Sequence, residues 1–584
     1  MSAQRVMVIG LDGATFDLMR PWLAEGKQPT IARLIREGAA GEMISVPNMN
    51  SGAAWATFAT GLNPGKHGVY WLVEYKPNSY ELQPTNALSR HGETIWARLS
   101  RRGKRVAVLN VPITWPAEPI NGVLVAGWDC PGVRSRGFTY PPEFTQELLH
   151  ACDGEFIITA AYEAPEATLK GDLALGIRTI HKQTESHLKA ARYVLSRGPW
   201  DLFIVIFTAT DIAHHLLWRT FDPNHPDYDP QEAARYGGAI YNIYKQLDDA
   251  IAELIQYADE DTTVIVMSDH GAGLKAGAVH SINRWLESQG LLKRTEDGGR
   301  GTEARPSSLR RQAMRLLADA IWASRRVLNE AQRERIKGWL PMLRGLRSKA
   351  EMHLYSAQID WSRTLAYGND ADDFIRINLK GREPQGIVAP EDYEALRDHI
   401  IERLYAWRDP KSGRPLVEKV WKREEIYFGP FVDKADDILI RWADFVPQGL
   451  DDGGLERPRQ FFDQISGGHK PNGILIMRGP GIMPGTTIEG AELIDMPPTI
   501  LHLLGEPVPA IMDGKVLTQV FSPDALAAHP PVVEDGSYHL SVLPPPSSIS
   551  SEQSLSDLAE IERGYSEEEA LLVEERLRGL GYLA

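Results

Sequence analysis

Seven residues give this sequence its chemistry: Asp12, Ser51, Asp211, His215, Asp269, His270 and His469. The pattern of apolar runs around them puts them together at the carboxyl edge of a sheet. Three carboxylates, three imidazoles and one hydroxyl suit two divalent cations about 4 Å apart. Asp and His with no Cys fit Zn2+ or Mn2+ better than Ca2+, and zinc is the first choice. A free serine hydroxyl is a weak nucleophile, but a coordinated metal lowers its pKa so that an alkoxide can attack. A second metal can then hold the leaving oxygen.

The elements that must position these groups are legible. Residues 5–11 (RVMVIGL) read as a buried parallel strand that ends in Asp12-Gly13. Residues 201–208 (DLFIVIFT) read as another, followed by Asp211 and His215, whose four-residue spacing puts them on one face of a helical turn. A third, residues 262–267 (TTVIVM), runs into Ser268-Asp269-His270-Gly271. Ser51 stands at the head of a small-residue helical run that ends at Thr60-Gly61, where first-turn amides suit a phosphoryl oxygen. His469 lies in Ser466-Gly467-Gly468-His469-Lys470, ahead of a strand at 474–477. Each piece also has a plainer reading. Asp12 fits a turn before Gly13, Ser51 fits an N-cap, and Asp211 fits a capping acid beside a surface His215. His214 is a minor rival to His215.

Further elements follow the same periodicities. Helices are expected over 94–101, 173–195, 239–257, 391–407 and 497–504. Strands are expected over 105–110, 364–367, 374–379 and 438–442. Residues 127–168, rich in Pro, Gly and aromatics, read as irregular chain near the sheet edge, part of the substrate wall. Residues 529–553 read as a Pro/Ser-rich linker. A last helix, 566–580, opens with Ser566 and a Glu three residues on, a capping box.

The fold class expected is α/β, a three-layer α/β/α sandwich on a mostly parallel central sheet, with a helical insertion and a C-terminal helical tail. The expected organisation is a first core part at 1–295, a basic helical insertion at 296–355, a second core part at 356–525, and a linker with the closing helix at 526–584. Between residues 305 and 349 twelve Lys/Arg face three Asp/Glu, within a chain of net charge −15. That segment reads as a solvated basic helix, or as an arm for an anionic membrane or acidic partner. The overall charge argues against general nucleic-acid binding. Two cysteines, Cys130 and Cys152, are too few for a disulfide framework or a thiolate zinc site. With no signal-peptide pattern and no long apolar span, the expected location is the cytoplasm.

Taken jointly, these residues resemble the alkaline phosphatase superfamily. The shared order is Asp12-Gly13, Ser51 ahead of Thr60-Gly61, Pro64 and His67-Gly68, then Asp211…His215, Asp269-His270-Gly271, Gly468-His469, and a late Asp495-Met496-Pro497-Pro498-Thr499. The resemblance is strongest to the type I phosphodiesterase/nucleotide pyrophosphatase branch and runs over most of residues 5–517. It implies that Asp12, Ser51, Asp269 and His270 hold one metal and Asp211, His215 and His469 the other, with Ser51 forming a phospho-enzyme intermediate. Two features depart from that branch: Ser51 replaces a frequent Thr, and Leu72 replaces an Asn that helps bind the phosphoryl group. The layout, with residues 381–386 (GREPQG), is also similar to a cytoplasmic phosphohydrolase/phosphomutase subgroup.

The activity implied is hydrolysis of a small phosphorylated substrate, diester before monoester. Its rivals are phosphotransfer from Ser51 to an alcohol and a non-catalytic docking protein. A sulfatase would need a C/S-x-P-x-R motif, which the residues after Ser51 lack. His280, Arg382 and Lys470 are expected substrate contacts.

Overall fold

The computed structural model describes residues 5–161, 164, 172–275, 282–295, 359–368, 374–445, 465–535 and 564–580. The basic segment 305–349 and His280 lie outside the described residues. The central sheet has nine strands: β1 (Arg5–Leu11), β2 (Ala39–Ile44), β3 (Val106–Val111), β4 (Gly122–Ala126), β5 (Thr139–Tyr140), β6 (Leu202–Phe207), β7 (Thr262–Met267), β10 (Asn472–Arg478) and β11 (Thr486–Glu492). Between β7 and β10 in the chain lie β8 (Gly271–Leu274) and β9 (Gly467–Lys470), which pair antiparallel as a separate ribbon. The spatial order is β11-β2-β10-β7-β1-β6-β3-β4-β5. The middle is parallel: β1 pairs with β6 and β7, and β3 pairs with β6 and β4. β10 runs antiparallel to both of its neighbours, β2 and β7.

The apolar alternation along each strand divides the core into two layers. Met7, Ile9 and Leu11 of β1, with Phe203, Val205 and Phe207 of β6, face the helices α2 (Leu173–Ser196), α3 (Ala209–Phe221) and α4 (Ala239–Leu254). Val6, Val8, Leu202, Ile204 and Ile206 face the other way, onto α1 (Ser51–Thr60) and α5 (Met496–Leu503). Central strands buried on both sides are continuous apolar runs for that reason. This is the expected three-layer α/β/α architecture.

A second sheet, wholly antiparallel, orders its strands Ala366–Tyr367, Phe374–Ile377, Ile438–Trp442 and Val417–Lys422, and has its own apolar core. It is tied to the chain just after α1, where Trp71 Nε1 donates to Asp436 at 2.8 Å and the Tyr70 hydroxyl donates to the Phe431 carbonyl at 2.9 Å. Residues 127–161 are less irregular than expected, since they include β5 and a helix at Phe144–Ala151. The closing helix α6 (Glu567–Leu580) forms with the expected capping box, the Ser566 and Glu569 side chains each bonding the other's amide. No helix among the described residues is long and apolar enough to cross a membrane.

Candidate active site

The three parallel strands at the sheet centre deliver most of the site. Asp12 follows β1, Asp269 and His270 follow β7, and α3 starts just after β6 and carries Asp211 and His215. Ligands collect at this carboxyl edge in open α/β sheets because loops diverge there and helix amides face it. His469 comes from β9, whose pairing sets it opposite Ala272 of β8.

All seven expected residues converge. The Ser51 hydroxyl lies 3.1 Å from His270 Nε2. His270 Nε2 is 3.6 Å from Asp12 Oδ1 and 3.5 Å from Asp269 Oδ2. On the other side, His215 Nε2 and His469 Nε2 are 3.1 Å apart, and they stand 3.2 and 3.4 Å from Asp211 Oδ1. Ligand atoms of Asp211, His215 and His469 form one compact group and those of Asp12, Asp211 and His270 another, so Asp211 is common to both.

Ser51 is not the N-cap. Asn50 takes that place, its side-chain oxygen accepting the Gly52 amide at 3.0 Å, and Ser51 is the first residue of the helix. The cap therefore leaves the hydroxyl free for His270. Gly13 has φ +70°, and a Cβ there would stand 3.2 Å from His270 Cε1 and 3.4 Å from the Asp211 backbone, so only glycine lets these elements approach. His214 points away from the cluster, with its Nε2 3.1 Å from the Tyr244 hydroxyl, and burial lowers its pKa to about 3.

The donor set fits cations. Each of His215, His270 and His469 gives its Nδ1–H to a backbone carbonyl, of Gly467, Gly271 and Met49 respectively, at 2.8–2.9 Å. Carbonyls only accept, so each ring spends its Nδ1–H there and turns its Nε2 to the site, the arrangement that orients metal-binding histidines. His215 and His469 turn these nitrogens to each other beside the Asp211 carboxylate, a donor set that suits a cation. Asp12 Oδ1 and Asp269 Oδ2 are buried without a hydrogen-bond partner. Among the described residues, the three carboxylates form ion pairs only with imidazoles.

The electrostatics agree. Burial, then the charges of Asp269 and Asp211, pushes the Asp12 carboxyl well above its ordinary range. Burial and the Asp211 charge push Asp269 up to about 7. Burial also raises Asp211, but His215 and His469 outweigh it and hold that carboxyl well below the usual range. Burial, then His469, depresses His270, which keeps its ring neutral.

The other expected contacts lie differently. The Arg382 guanidinium is bonded to Asp437 through two 2.6 Å contacts and to Glu383 at 2.7 Å, so its charge is spent inside the second sheet's unit. The Lys470 amine pairs with Asp444. Several residues at the site gave no sequence signal. Trp55 Nε1 donates to Asp12 Oδ2 at 3.2 Å, and the Thr210 hydroxyl donates to the Asp12 carbonyl. Trp128, Thr159, Thr208 and Ile212 line a small cavity with Asp12, Ser51 and Asp211. Only Trp55, four residues after Ser51 on one helix, had a spacing that could have revealed it.

A doubly covered α/β sheet with this carboxyl-edge cluster places the molecule in the alkaline phosphatase superfamily. More narrowly, the signature of the type I phosphodiesterase/nucleotide pyrophosphatase family matches residues 6–444, and the chain belongs to that family of metal-dependent phosphoric ester hydrolases. No curated protein matches the sequence. Similar solved structures include phosphonoacetate hydrolase from Sinorhizobium meliloti 1021 in complex with phosphonoformate. It has a TM-score of 0.49 and 15% identity, over 86% of this chain and 95% of that one. Another is an inactive variant of murine ectonucleotide pyrophosphatase/phosphodiesterase 5 in complex with AMP, with a TM-score of 0.46 and 12% identity, over 89% of this chain and 100% of that one.

Proposed function

We propose that the protein hydrolyses phosphate diesters ahead of monoesters, with Ser51 as nucleophile in front of a two-cation centre. The observation that carries this reading is the Ser51 hydroxyl 3.1 Å from His270 Nε2, at the head of a buried helix and beside one of two carboxylate–imidazole groups that share Asp211. Asp12, Ser51, Asp269 and His270 would hold one ion and Asp211, His215 and His469 the other, zinc before manganese. Bound there, two divalent ions supply charge neutralisation at the phosphoryl oxygens and a lowered serine pKa.

The chain's own groups do the rest. Trp55 holds the Asp12 carboxylate, the Gly13 amide holds that of Asp269 by donating to its Oδ1 at 3.2 Å, and the Thr210 hydroxyl holds the Asp12 backbone carbonyl. The Asn50 cap occupies the Gly52 amide, whereas the Ser51 and Ala53 amides have no acceptor among the described residues and are available to a phosphoryl oxygen. Ser51 Oγ gives up its proton and attacks phosphorus, the bond to the leaving oxygen breaks and that oxygen is protonated, and the resulting serine-linked phosphodiester is cleaved by water, which reprotonates the serine and releases a phosphomonoester. Leu72 is buried and sits over Gly52, where a Cβ would come within 2.7 Å of its Cδ2. Leu72 brings no side-chain amide to that position, which argues against nucleotide diesters as preferred substrates. The location we propose is the cytoplasm.

Metal analysis of the purified protein, coupled to a panel of aryl mono- and diesters, tests the reading. Ser51→Ala is expected to abolish diester turnover with metal content near wild type. Full activity in that variant would end the assignment. A labelled acceptor alcohol that captured the phosphoryl group would convert the reading to phosphotransfer.

A further inference from the structure

One wall of the reaction cavity is Trp128, on the loop after β4. That loop is gripped from two sides. From inside, the buried Asp129 carboxylate accepts the amides of Ile113 and Trp115 at 2.9 and 2.8 Å. From outside, the end of the chain reaches it. The Arg576 guanidinium on α6 bonds the carbonyls of Trp128 at 3.2 Å, Pro131 at 2.5 Å, and Cys130. Tyr565, just before α6, stacks on Trp115 with centroids 4.5 Å apart and planes 10° apart, and its hydroxyl donates to the Asp129 carbonyl at 2.8 Å. Val573 and Leu577 of α6 are buried in the same core cluster as Trp128 and Cys130.

Four consecutive carbonyls, from Trp128 to Pro131, are thus held by two side chains from more than four hundred residues away. A planar guanidinium fork suits several acceptors at fixed angles, which an ammonium does not match. The Trp128 side chain is buried in that core cluster, and the part left uncovered lines the cavity; among the described residues its indole N–H has no acceptor. An indole packed on a rigidly held backbone offers apolar ring surface and one donor to whatever occupies the cavity it lines.

We propose that Trp128 selects the ester group that stays on phosphorus when the substrate is cleaved, favouring aromatic or otherwise planar ones, and that α6 acts as a brace in which Arg576 is the positioning residue. The inference rests on the diesterase reading above. It assigns the tail a task in the reaction cycle, since loss of the brace would loosen the wall without touching the seven metal-site residues.

Two readouts test it. The first is steady-state kinetics with bis(p-nitrophenyl) phosphate against methyl p-nitrophenyl phosphate. Trp128→Ala is expected to raise KM for the bis-aryl ester about tenfold, the scale of one lost aromatic contact, and to change the ratio between the two substrates. Arg576→Met is expected to shift KM in the same direction with metal content unchanged. Arg576→Lys is expected to fall between it and wild type. The double variant Arg576→Met/Trp128→Ala is expected to be no worse than Trp128→Ala alone. Additive effects would overturn the brace.

The second readout needs no activity. Cys130 sits in the braced loop and is buried, and burial raises its thiol well above the ordinary range. In a Cys152→Ser background it reports loop opening to a chromogenic disulfide reagent. Arg576→Met is expected to raise its reaction rate at least about tenfold over the same background, and equal rates would refute the brace. If Arg576→Met does not fold by circular dichroism, Tyr565→Phe, which removes only the bonds of that hydroxyl, decides by the same rate. If wild type cleaves no diester, the diesterase reading fails, and the thiol rates still decide the brace.

Discussion

Asp269→Asn should separate what the site does for function from what it costs the fold. The Asp269 side chain is fully buried near Asp12, and its Oδ2 has no hydrogen-bond partner. Without cations its carboxyl is pushed up to about 7 from 3.8. A carboxyl raised on folding leaves the metal-free fold intact at low pH and erodes it as pH rises from about 4 through 7. The full loss above that window is about 4 kcal/mol, from roughly three units at 1.36 kcal/mol each. Asn keeps the shape and can still accept the Gly13 amide, but carries no charge. The chelated variant at about pH 8 should therefore melt higher than chelated wild type, and the gap should close toward about pH 5. With Zn2+ added the order should invert, because wild type gains binding energy that the variant lacks. Diester turnover should be lost. Thermal melts with and without chelator at the two pH values read all of this. Parallel melting of the chelated proteins at both pH values would refute the claim that uncompensated charge at this carboxylate strains the fold.

Two further outcomes follow from the geometry. Gly13→Ala forces a left-handed residue and a Cβ 3.2 Å from His270 Cε1. It should cost about 1–2 kcal/mol of stability but tenfold or more of kcat/KM, since about an ångström of misplacement at a nucleophile is worth that much; equal, small losses in both would show that Gly13 only turns the chain. Arg382→Met should destabilise by about 3 kcal/mol or more in urea melts while leaving KM near wild type; a raised KM at unchanged stability would return Arg382 to the substrate. The same variant should flatten the acid limb of stability. Burial raises the Asp437 carboxyl, but the Arg382 fork and the charges of Arg382, Arg376 and Arg423 outweigh it and set it at about 2. This depressed carboxyl contributes about 2 kcal/mol above pH 4 or so, lost as pH falls toward 2.

The parts legible in sequence were those whose signal is local. β1, β6 and β7 are unbroken β-branched or aromatic runs because both faces are buried, and the acid or imidazole after each run marks its end. The helical spacing of Asp211 and His215 needs only four residues to read. What failed needs partners. His469 is expected ahead of the strand at 474–477, yet it sits in a strand of its own, β9, because GGHK has little strand preference and is held by the backbone of β8. β2 and β11, with glycines at Gly41 and Gly490, carry no clean alternation and exist by pairing. Arg382 resembled an anion contact until Asp437, fifty-five positions on, claimed it. Asn50 rather than Ser51 caps α1, a one-residue choice between two good caps that the fold makes through His270.

β10 enters the sheet between β2 and β7, and its arrival completes what was laid down hundreds of residues earlier. During synthesis, an emerging chain shorter than about 465 residues would carry β7 with one side unsatisfied, β2 with nothing beside it, and no third ligand to join Asp211 and His215. Such an intermediate is a template for intermolecular strand addition and lacks one of the three residues of the Asp211, His215 and His469 group. Maturation of the enzyme should then be abrupt, with sheet closure and ion capture arriving together in the last stage of translation.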